Sequence, residues 1–116
     1  MTEWKPTETQ EQIAVCQYLD LKGYVYNHTP NEGKRSTTTA RILKAMGMKK
    51  GFPDLMIYEP KGGFHGLAIE MKAENGKLTK DQKEWLRTLS SKGYLATACW
   101  GADAAIKVIN TYMNLK

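Results

Sequence analysis

The chain has 116 residues, 41% of them hydrophobic and 25% charged, a composition that excludes disorder and fibrous repeats and fits one domain over residues 1–116. Its 17 Lys and Arg residues outnumber its 12 Asp and Glu residues, and the formal net charge of +5 favours a polyanionic partner such as nucleic acid. No apolar run approaches the ~20 residues of a membrane span and the N-terminal segment lacks a secretory signal, so we expect no membrane association and a cytoplasmic location.

The first predicted elements are a helix and a short strand. Residues 7–23 carry apolar residues near helical spacing, with Thr7 suited to the N-cap and Gly23 to the C-terminal end. Residues 24–29 alternate β-forming and polar residues and predict a strand. The turn-forming residues of segment 30–36 then predict a loop.

A second, shorter helix is predicted over residues 36–47, with Ser36 or Thr37 as the N-cap. Its apolar side chains recur on one face and are expected to pack inward. These apolar residues are Ala40, Leu43 and Met46. Arg41 and Lys44 fall on the opposite face and are expected to point to solvent.

A β-hairpin is predicted in the middle of the chain. Residues 54–59 and residues 65–73 are short β-rich runs, and the Pro and Gly residues of segment 60–64 between them suit a turn. The two strands are therefore expected to pair in the antiparallel sense.

The second strand of this hairpin separates polar from apolar side chains. Because strand side chains alternate between faces, Glu70 and Lys72 share one face, and the small residues Gly66 and Ala68 lie beside them. Small residues at these positions would leave room for a large partner. The other face is expected to pack against a helix. Its apolar residues are Leu67, Ile69 and Met71.

The clearest helix boundaries fall within residues 78–93. Thr79 and Gln82 match the capping-box pattern, and Gly93 suits the C-terminal end. The face that is expected to turn inward consists of Trp85, Leu86 and Leu89.

A strand and a helix are predicted to complete the fold. Residues 94–100 form a continuous apolar run, which is typical of a strand buried on both faces. Residues 103–113 predict a helix with Asp103 as the N-cap. The mixture of helices and strands along the chain indicates the α/β class.

The two cysteines of the chain lie in apolar segments. Cys16 and Cys99 are therefore expected to be buried, reduced thiols rather than a disulfide or metal ligands. Together with His28 and His65 they form no zinc-binding pattern, so zinc is not expected.

Two acids and a lysine of the hairpin point to metal-dependent chemistry. Asp54 opens the first strand, and antiparallel pairing can bring its carboxylate beside that of Glu70. Adjacent carboxylates repel each other unless a cation or a proton lies between them, and Mg²⁺ prefers such oxygen ligands. Lys72, one pleat beyond Glu70, could then hold or deprotonate a water and offset charge that develops on phosphorus. Taken alone, the same residues also fit a solvated strand face with a weak ion pair.

The order of these residues resembles a known nuclease signature. Pro53-Asp54 followed by Glu70-Met71-Lys72 is similar to the PD-(D/E)XK pattern, and nearly the whole chain resembles the VRR-Nuc family of phage and bacterial nucleases. The segments that carry this similarity are TETQEQ, KKGFPDL and HGLAIEMKAENGKLTKDQKEWLRTLSSKGY. The resemblance implies a restriction-endonuclease-like α/β fold, with a mixed central β-sheet flanked by helices.

By this resemblance, Mg²⁺ or Mn²⁺ is the expected cofactor and the site residues can be assigned. Asp54 and Glu70 would bind the metal, with the backbone carbonyl of Met71 as a further ligand. Lys72 would be the catalytic lysine. Glu8 would be the family's glutamate of the first helix, with a part in metal binding and catalysis.

Three residues near this signature have alternative explanations. Glu11 lies one turn after Glu8 and competes for its role, although both acids also complement the helix dipole. The capping box explains Gln82, but its face of the helix points toward the sheet, and the resemblance adds it to the catalytic site. His65 could donate to a substrate or simply lie exposed in a turn.

Basic residues flank both proposed acids and are predicted to hold DNA phosphates. They are Lys34, Arg35, Arg41, Lys44, Lys49, Lys50, Lys77 and Lys80. Each is also typical of an ordinary solvated face. No base-reading motif is recognisable, which favours recognition of DNA by its shape.

The sequence thus predicts a metal-dependent, structure-selective DNA endonuclease that hydrolyses phosphodiester bonds. A homodimer is expected because pairing doubles the DNA-binding surface of a small chain. Stand-alone members of the resembled family look like junction-cleaving enzymes, so the expected substrate is branched DNA such as a four-way (Holliday) junction. Candidate dimer surfaces are segment 36–48 and the aromatic residues Trp4 and Tyr24. The alternatives are a non-catalytic DNA-binding module of the same fold, a sequence-specific restriction-type enzyme and a basic structural protein.

Overall fold

Helices and strands follow one another along the chain in the predicted order. The computed structural model describes residues 4–30 and 36–116. The elements are α1 (Glu8–Lys22), β1 (Tyr26–His28), α2 (Thr37–Ala45), β2 (Leu55–Ile57), β3 (Leu67–Lys72), α3 (Lys80–Ser91), β4 (Leu95–Trp100) and α4 (Ala102–Met113). None of the helices in these two ranges is long and apolar enough to cross a membrane.

The four strands form one mixed sheet in the order β1-β2-β3-β4. β2 and β3 form the predicted antiparallel hairpin, in a register that pairs Leu55 with Ile69. β1 joins β2 in the antiparallel sense, whereas β4 joins β3 in the parallel sense. The parallel pair is connected through α3, because parallel strands need a long crossover rather than a tight turn. The structure confirms the predicted α/β fold, a mixed sheet flanked by helices.

One face of the sheet packs against α1 and α4. Leu67, Ile69 and Met71 of β3 are fully buried there, as predicted, in a cluster that includes Val15 and Leu19 of α1. The α4 side chains of this cluster are Ala105, Ile109 and Tyr112. Full burial of one large aliphatic side chain contributes roughly 1.5–3 kcal/mol, so this cluster anchors β3 firmly.

Helix α3 covers the other face of the sheet. Ala68 is fully buried in a second cluster with Met56 and Leu89. Gly66 is buried as well, and a Cβ atom at this position would lie 2.7 Å from the Ile57 carbonyl oxygen and 3.5 Å from the Tyr94 ring. The expectation that these small residues leave room for an external partner is therefore wrong. The space beside Gly66 and Ala68 is filled by other residues of the same chain.

The predicted caps of α1 and α3 are confirmed. Thr7 forms a capping box with Gln10, and Gly23 ends α1 in the left-handed conformation at φ 73°. Thr79 and Gln82 form the capping box of α3. The predicted inward face of α3 is buried or half-buried; it consists of Trp85, Leu86 and Leu89.

The expected inward face of α2 is largely exposed. Ser36 is the N-cap, and its hydroxyl accepts a hydrogen bond from the Thr39 N–H at 3.1 Å. Ala40 and Met46 are exposed, however, and Leu43 is half-buried. Among the residues that the structure describes, α2 contributes no buried side chain. The prediction of inward packing is wrong because an amphipathic pattern identifies an apolar face without specifying what covers it.

β4 lies at the edge of the sheet as far as the structure describes it. It pairs with β3, and of its residues Cys99 is buried whereas Trp100 is 45% exposed. The prediction of a strand buried on both faces is therefore wrong. A continuous apolar run does not distinguish a central strand from an edge strand that helices cover in part.

Helix α4 begins at Ala102, and its N-cap is Gly101 rather than the predicted Asp103. Gly101 adopts a φ of 92°, a backbone conformation that favours glycine. The N–H of Ala102 donates to the carboxylate of Glu11 in α1. The prediction fails because a side chain from another helix satisfies the helix end that a local cap would otherwise serve.

Both cysteines are free thiols, as predicted. Cys99 is buried and Cys16 is half-buried. Burial raises the pKa of the Cys99 thiol to about 11 and also raises the pKa of Cys16. Both thiols are therefore protonated at neutral pH and poorly suited to nucleophilic chemistry.

Candidate active site

Asp54 and Glu70 meet across the hairpin. In the antiparallel register that pairs Leu55 with Ile69, Asp54 just before β2 lies opposite Glu70 of β3. Both side chains are buried, with exposed fractions of 5% for Asp54 and 1% for Glu70. The Oδ2 atom of Asp54 accepts a hydrogen bond from the Met71 N–H at 2.7 Å. This bond fixes one carboxylate oxygen of Asp54 against β3.

Glu8 of α1 completes a cluster of three acids. The carboxylates of Glu8, Asp54 and Glu70 each place an oxygen within 4.8 Å of the other two. Three carboxylates this close repel one another unless protons or a cation offset their charge. Carboxylate oxygens are the ligands that Mg²⁺ and Mn²⁺ prefer, so this cluster has the ligand set of a divalent-cation site.

Lys72 adds one positive charge to the cluster. Its side chain is buried on the same face of β3 as Glu70, and its Nζ atom lies 3.6 Å from Glu70 Oε2. With all four groups ionised, the lysine offsets one of the three carboxylate charges and leaves two uncompensated. The charge of the cluster therefore balances when one divalent cation is bound.

The Gln82 amide makes a contact that fits each of the two explanations considered for it. Its Oε1 atom accepts a hydrogen bond from the Thr79 N–H at 2.9 Å, which completes the capping box. Its Nε2 atom donates to Glu70 Oε2 at 3.3 Å. The N-terminus of α3 is thus tied directly to the acid cluster, and the two explanations are compatible.

Glu8 and Glu11 lie one turn apart on α1 but point to different places. Glu8 reaches the acid cluster, whereas the Glu11 carboxylate accepts a hydrogen bond from the Ala102 N–H at the start of α4. We therefore keep Glu8 as the candidate metal ligand and assign Glu11 to the stabilisation of α4.

Alanine substitution of these two glutamates should separate metal binding from stability. Glu8→Ala removes a ligand and should weaken Mn²⁺ binding at least about tenfold with little loss of stability. Glu11→Ala removes the cap of α4 and should lower the free energy of unfolding by about 1 kcal/mol with Mn²⁺ affinity unchanged. Titration calorimetry and thermal denaturation measure the two quantities. An equal loss of Mn²⁺ affinity in both variants would contradict the assignment.

A groove of about 550 Å³ runs along α1 and reaches Asp54. Gln12 and His28 are among its lining residues, and neither was expected at the site from the sequence. The His28 Nδ1 atom lies 2.9 Å from the Asp54 carbonyl oxygen and 3.0 Å from the Gln12 side-chain nitrogen. The contact with the Asp54 carbonyl needs a proton on Nδ1, whereas the contact with the Gln12 amide, a donor, needs Nδ1 without one, so a single tautomer forms only one of these two hydrogen bonds. The available signals were the position of Gln12 one turn beyond Glu8 and that of His28 near the end of the first predicted strand.

The predicted DNA-binding residues that the structure describes are all exposed. They are Arg41, Lys44, Lys49, Lys50, Lys77 and Lys80. Lys34 and Arg35 lie outside the described residues. Lys50 lines a pocket of about 150 Å³ together with Asp54 and Glu70. At least this basic residue is therefore next to the acid cluster.

His65 lies before the start of β3, whereas Lys72 is the last residue of that strand. Its ring packs edge-on against Tyr94, with the ring centroids 5.8 Å apart. This position at the far end of the strand agrees with the explanation of His65 as a turn residue.

Comparisons with known proteins cover nearly the whole chain. The model of a family described as the VRR-NUC domain matches residues 4–103, which include every predicted catalytic residue. A solved structure described as "VRR_NUC domain protein" has 34% sequence identity and a TM-score of 0.83, and the alignment covers 97% of this chain and 93% of that one. A second solved structure, described as "VRR_NUC domain", has 19% identity and a TM-score of 0.63 over 92% of this chain and 99% of that one, which shows similarity of fold alone. A search of curated proteins found no significant match.

Proposed function

This chain belongs to the VRR-NUC domain family, a family of nucleases, and we propose that it is a DNA endonuclease that uses Mg²⁺ or Mn²⁺ to hydrolyse phosphodiester bonds. The observation that carries the proposal is the approach of the Glu8, Asp54 and Glu70 carboxylates to within 4.8 Å of one another. We assign catalysis to these acids together with Lys72 and Gln82, and we treat the whole chain as a single cytoplasmic nuclease domain.

The acids and the main chain of β3 would hold the cation. Glu8, Asp54 and Glu70 supply carboxylate oxygens, and the backbone carbonyl of Met71 is proposed as a further ligand. When bound, the cation supplies Lewis-acid polarisation of the phosphodiester and a more acidic water. The hydrogen bond from the Met71 N–H to Asp54 Oδ2 limits rotation of that carboxylate, so its other oxygen is presented in a fixed direction.

Lys72 would act on the attacking water. As an ammonium, its Nζ atom donates a hydrogen bond to the water, and its positive charge offsets the negative charge that grows on the phosphate oxygens; as a neutral amine, it would accept a proton from the water and become an ammonium. Gln82 supports this arrangement because donation from its Nε2 atom holds Glu70 Oε2, the same oxygen that faces Lys72. Because Lys72 and Gln82 are held in place before the reaction begins, they would stabilise the negative charge that develops in the transition state without further rearrangement.

Basic residues before and after the acids in sequence would hold DNA through its phosphates, which makes affinity dependent on salt rather than on base sequence. We propose the following contacts: Lys34, Arg35, Arg41, Lys44, Lys49, Lys50, Lys77 and Lys80. The placement of Lys50 beside Asp54 and Glu70 supports this assignment, since the scissile phosphate must approach the acids.

We further propose that the substrate is branched DNA and that the enzyme is a homodimer. Two active sites related by a two-fold axis match the symmetry of a four-way junction. The exposed apolar side chains of Ile42 in α2, at 54%, and of Met46 at its C-cap, at 78%, support segment 36–48 as the dimer surface. Trp4 is also exposed, whereas Tyr24 is half-buried against the core and is the weaker candidate.

Cleavage of labelled DNA tests the proposal. The substrates are a four-way junction, a flap, a splayed arm and a linear duplex, each with Mg²⁺, Mn²⁺ or EDTA. We expect metal-dependent, paired cuts in the junction, little cleavage of the linear duplex and a dimeric mass by light scattering. Salt-sensitive binding without cleavage of any substrate would instead support the non-catalytic module. Cleavage of the linear duplex at one defined sequence would support a restriction-type enzyme.

A further inference from the structure

The turn that follows β3 lies over the side chain of Lys72. The Gly76 N–H donates to the Ala73 carbonyl at 2.8 Å and closes this turn. A Cβ atom at Gly76 would lie 3.2 Å from Lys72 Cδ and 3.3 Å from Lys72 Cβ. The turn therefore leaves no room for a side chain between Gly76 and the aliphatic stem of the lysine, and the Lys72 residue is only 6% exposed.

Trp100 holds this turn from the neighbouring strand. The parallel register pairs Trp100 with Lys72, so both side chains project to the same face of the sheet. The Trp100 indole Nε1 donates to the Gly76 carbonyl at 2.8 Å. In addition, the Gly101 N–H donates to the Lys72 carbonyl at 3.0 Å. The end of β4 thus contacts Lys72 through its main chain and through the turn that covers its stem.

The core does not explain the position of the Trp100 ring. Its 45% exposure shows that the ring is not a core side chain, although its N–H makes a well-formed hydrogen bond. The same turn has one other described tether, the ion pair between Lys5 and Glu74 at 3.0 Å. Those side chains are 57% and 67% exposed, and such surface pairs contribute little. Among the contacts described, the indole hydrogen bond is therefore the one that ties Gly76 to β4.

We propose that Trp100 is a positioning residue for Lys72, because its hydrogen bond to Gly76 keeps the turn packed on the lysine stem. This inference rests on the proposed function, in which Lys72 Nζ acts on the attacking water. The lysine stem is flexible, and the packed turn restricts it to the conformation that places Nζ 3.6 Å from Glu70 Oε2. Release of the turn lets Nζ sample other positions, which lowers the rate of the chemical step and leaves DNA and metal binding intact.

Two substitutions test this role from both sides of the contact. Trp100→Phe keeps an aromatic ring and removes the N–H, and we expect kcat to fall about fivefold, the scale set by one neutral hydrogen bond. Gly76→Ala keeps the carbonyl acceptor but places a methyl group against Lys72. Gly76 does not have a positive φ, so alanine suits its backbone conformation. The added Cβ would also lie 3.2 Å from the Ala73 carbonyl oxygen, so the variant displaces either the turn or the lysine, and either displacement should lower kcat. In both variants KM and the Mn²⁺ concentration for half-maximal rate should equal those of the wild type.

Steady-state kinetics on a DNA that the wild type cleaves, together with thermal denaturation of each variant, decides the question. Tyr58→Phe is the matched control, since it removes the hydrogen bond that the side chain of a 48% exposed aromatic residue donates, from the Tyr58 hydroxyl to Asn27 Oδ1 at 2.8 Å, and it should behave as the wild type. Wild-type kcat in Trp100→Phe, or a loss that appears mainly in KM, would overturn the positioning role and leave the proposed function intact. If Trp100→Phe unfolds at the assay temperature, Gly76→Ala decides by the same criteria. A wild-type protein that cleaves no DNA would refute the proposed function, and this role with it.

Discussion

Asp54→Asn should abolish metal-dependent cleavage, a loss of at least about 10³-fold, while the protein stays folded. Asparagine keeps a side-chain oxygen that can accept the hydrogen bond from the Met71 N–H, now made by Asp54 Oδ2 at 2.7 Å. The register of β2 and β3 is therefore preserved. What the substitution removes is one of three carboxylate charges within 4.8 Å of one another, and with it the strongest attraction for a divalent cation.

The same substitution should change thermal stability in a direction that identifies the acid cluster. In the metal-free protein, repulsion among Glu8, Asp54 and Glu70 opposes folding, so the loss of one charge should raise Tm. Mn²⁺ should raise the Tm of the wild type, because a ligand that binds the folded state stabilises it, and should have little effect on Asp54→Asn.

The control for this experiment is Asp103→Asn, a change at an exposed acid in the first turn of α4. It should leave both cleavage and the Mn²⁺-induced rise in Tm at wild-type values. If Asp54→Asn also retained both, Asp54 would not be a metal ligand, and the proposed site would lose its central residue.

Features that depend on neighbours in sequence were predictable. The capping box of α3 needs only Thr79 and Gln82, three positions apart, and the hairpin needs two β-rich runs around a turn. The alternation of faces along β3 then placed Leu67, Ile69 and Met71 in the core without any knowledge of the helices that cover them.

Features that depend on distant parts of the chain were not predictable in this way. Asp103 was expected to cap α4, but Glu11 from α1 accepts the hydrogen bond from the Ala102 N–H. Periodicity identified the apolar face of α2 but not its exposure, and the apolar character of β4 did not reveal an edge strand. In each case the outcome is set by tertiary packing, which a local pattern does not encode.

In the candidate site too, contacts within the hairpin were predictable from the sequence and contacts with distant elements were not. Pairing of β2 with β3 was enough to bring Asp54 beside Glu70, whereas the approach of Glu8 from α1 rested on resemblance to a family rather than on any local rule. His28 went unassigned because its contact with the Asp54 carbonyl exists only once β1 has paired with β2. In a site formed by several elements, the sequence therefore predicts only the contacts between residues of strands that pair within a hairpin.

Lys72→Met should slow cleavage about 10²-fold or more while metal binding persists. Methionine approximates the lysine stem and keeps a side chain beneath Gly76, so the turn after β3 is retained. The variant loses the Nζ atom that is proposed to act on the attacking water and that lies 3.6 Å from Glu70 Oε2. Measurement of single-turnover rates at saturating Mn²⁺ separates this loss from any change in metal affinity.

The stability effect of Lys72→Met should be opposite in sign to that of Asp54→Asn. The substitution removes the Lys72 ammonium 3.6 Å from Glu70 Oε2, so the repulsion among the three carboxylates is less offset and the Tm of the metal-free protein should fall. The rise in Tm caused by Mn²⁺ should be larger than in the wild type, because the cation now enters a more negative cluster. Lys107→Met, a change at an exposed lysine of α4, is the control for loss of one positive charge. Wild-type turnover in Lys72→Met would exclude this lysine from catalysis, whereas opposite Tm shifts in the two variants would establish that the acids and the lysine form one electrostatically coupled site.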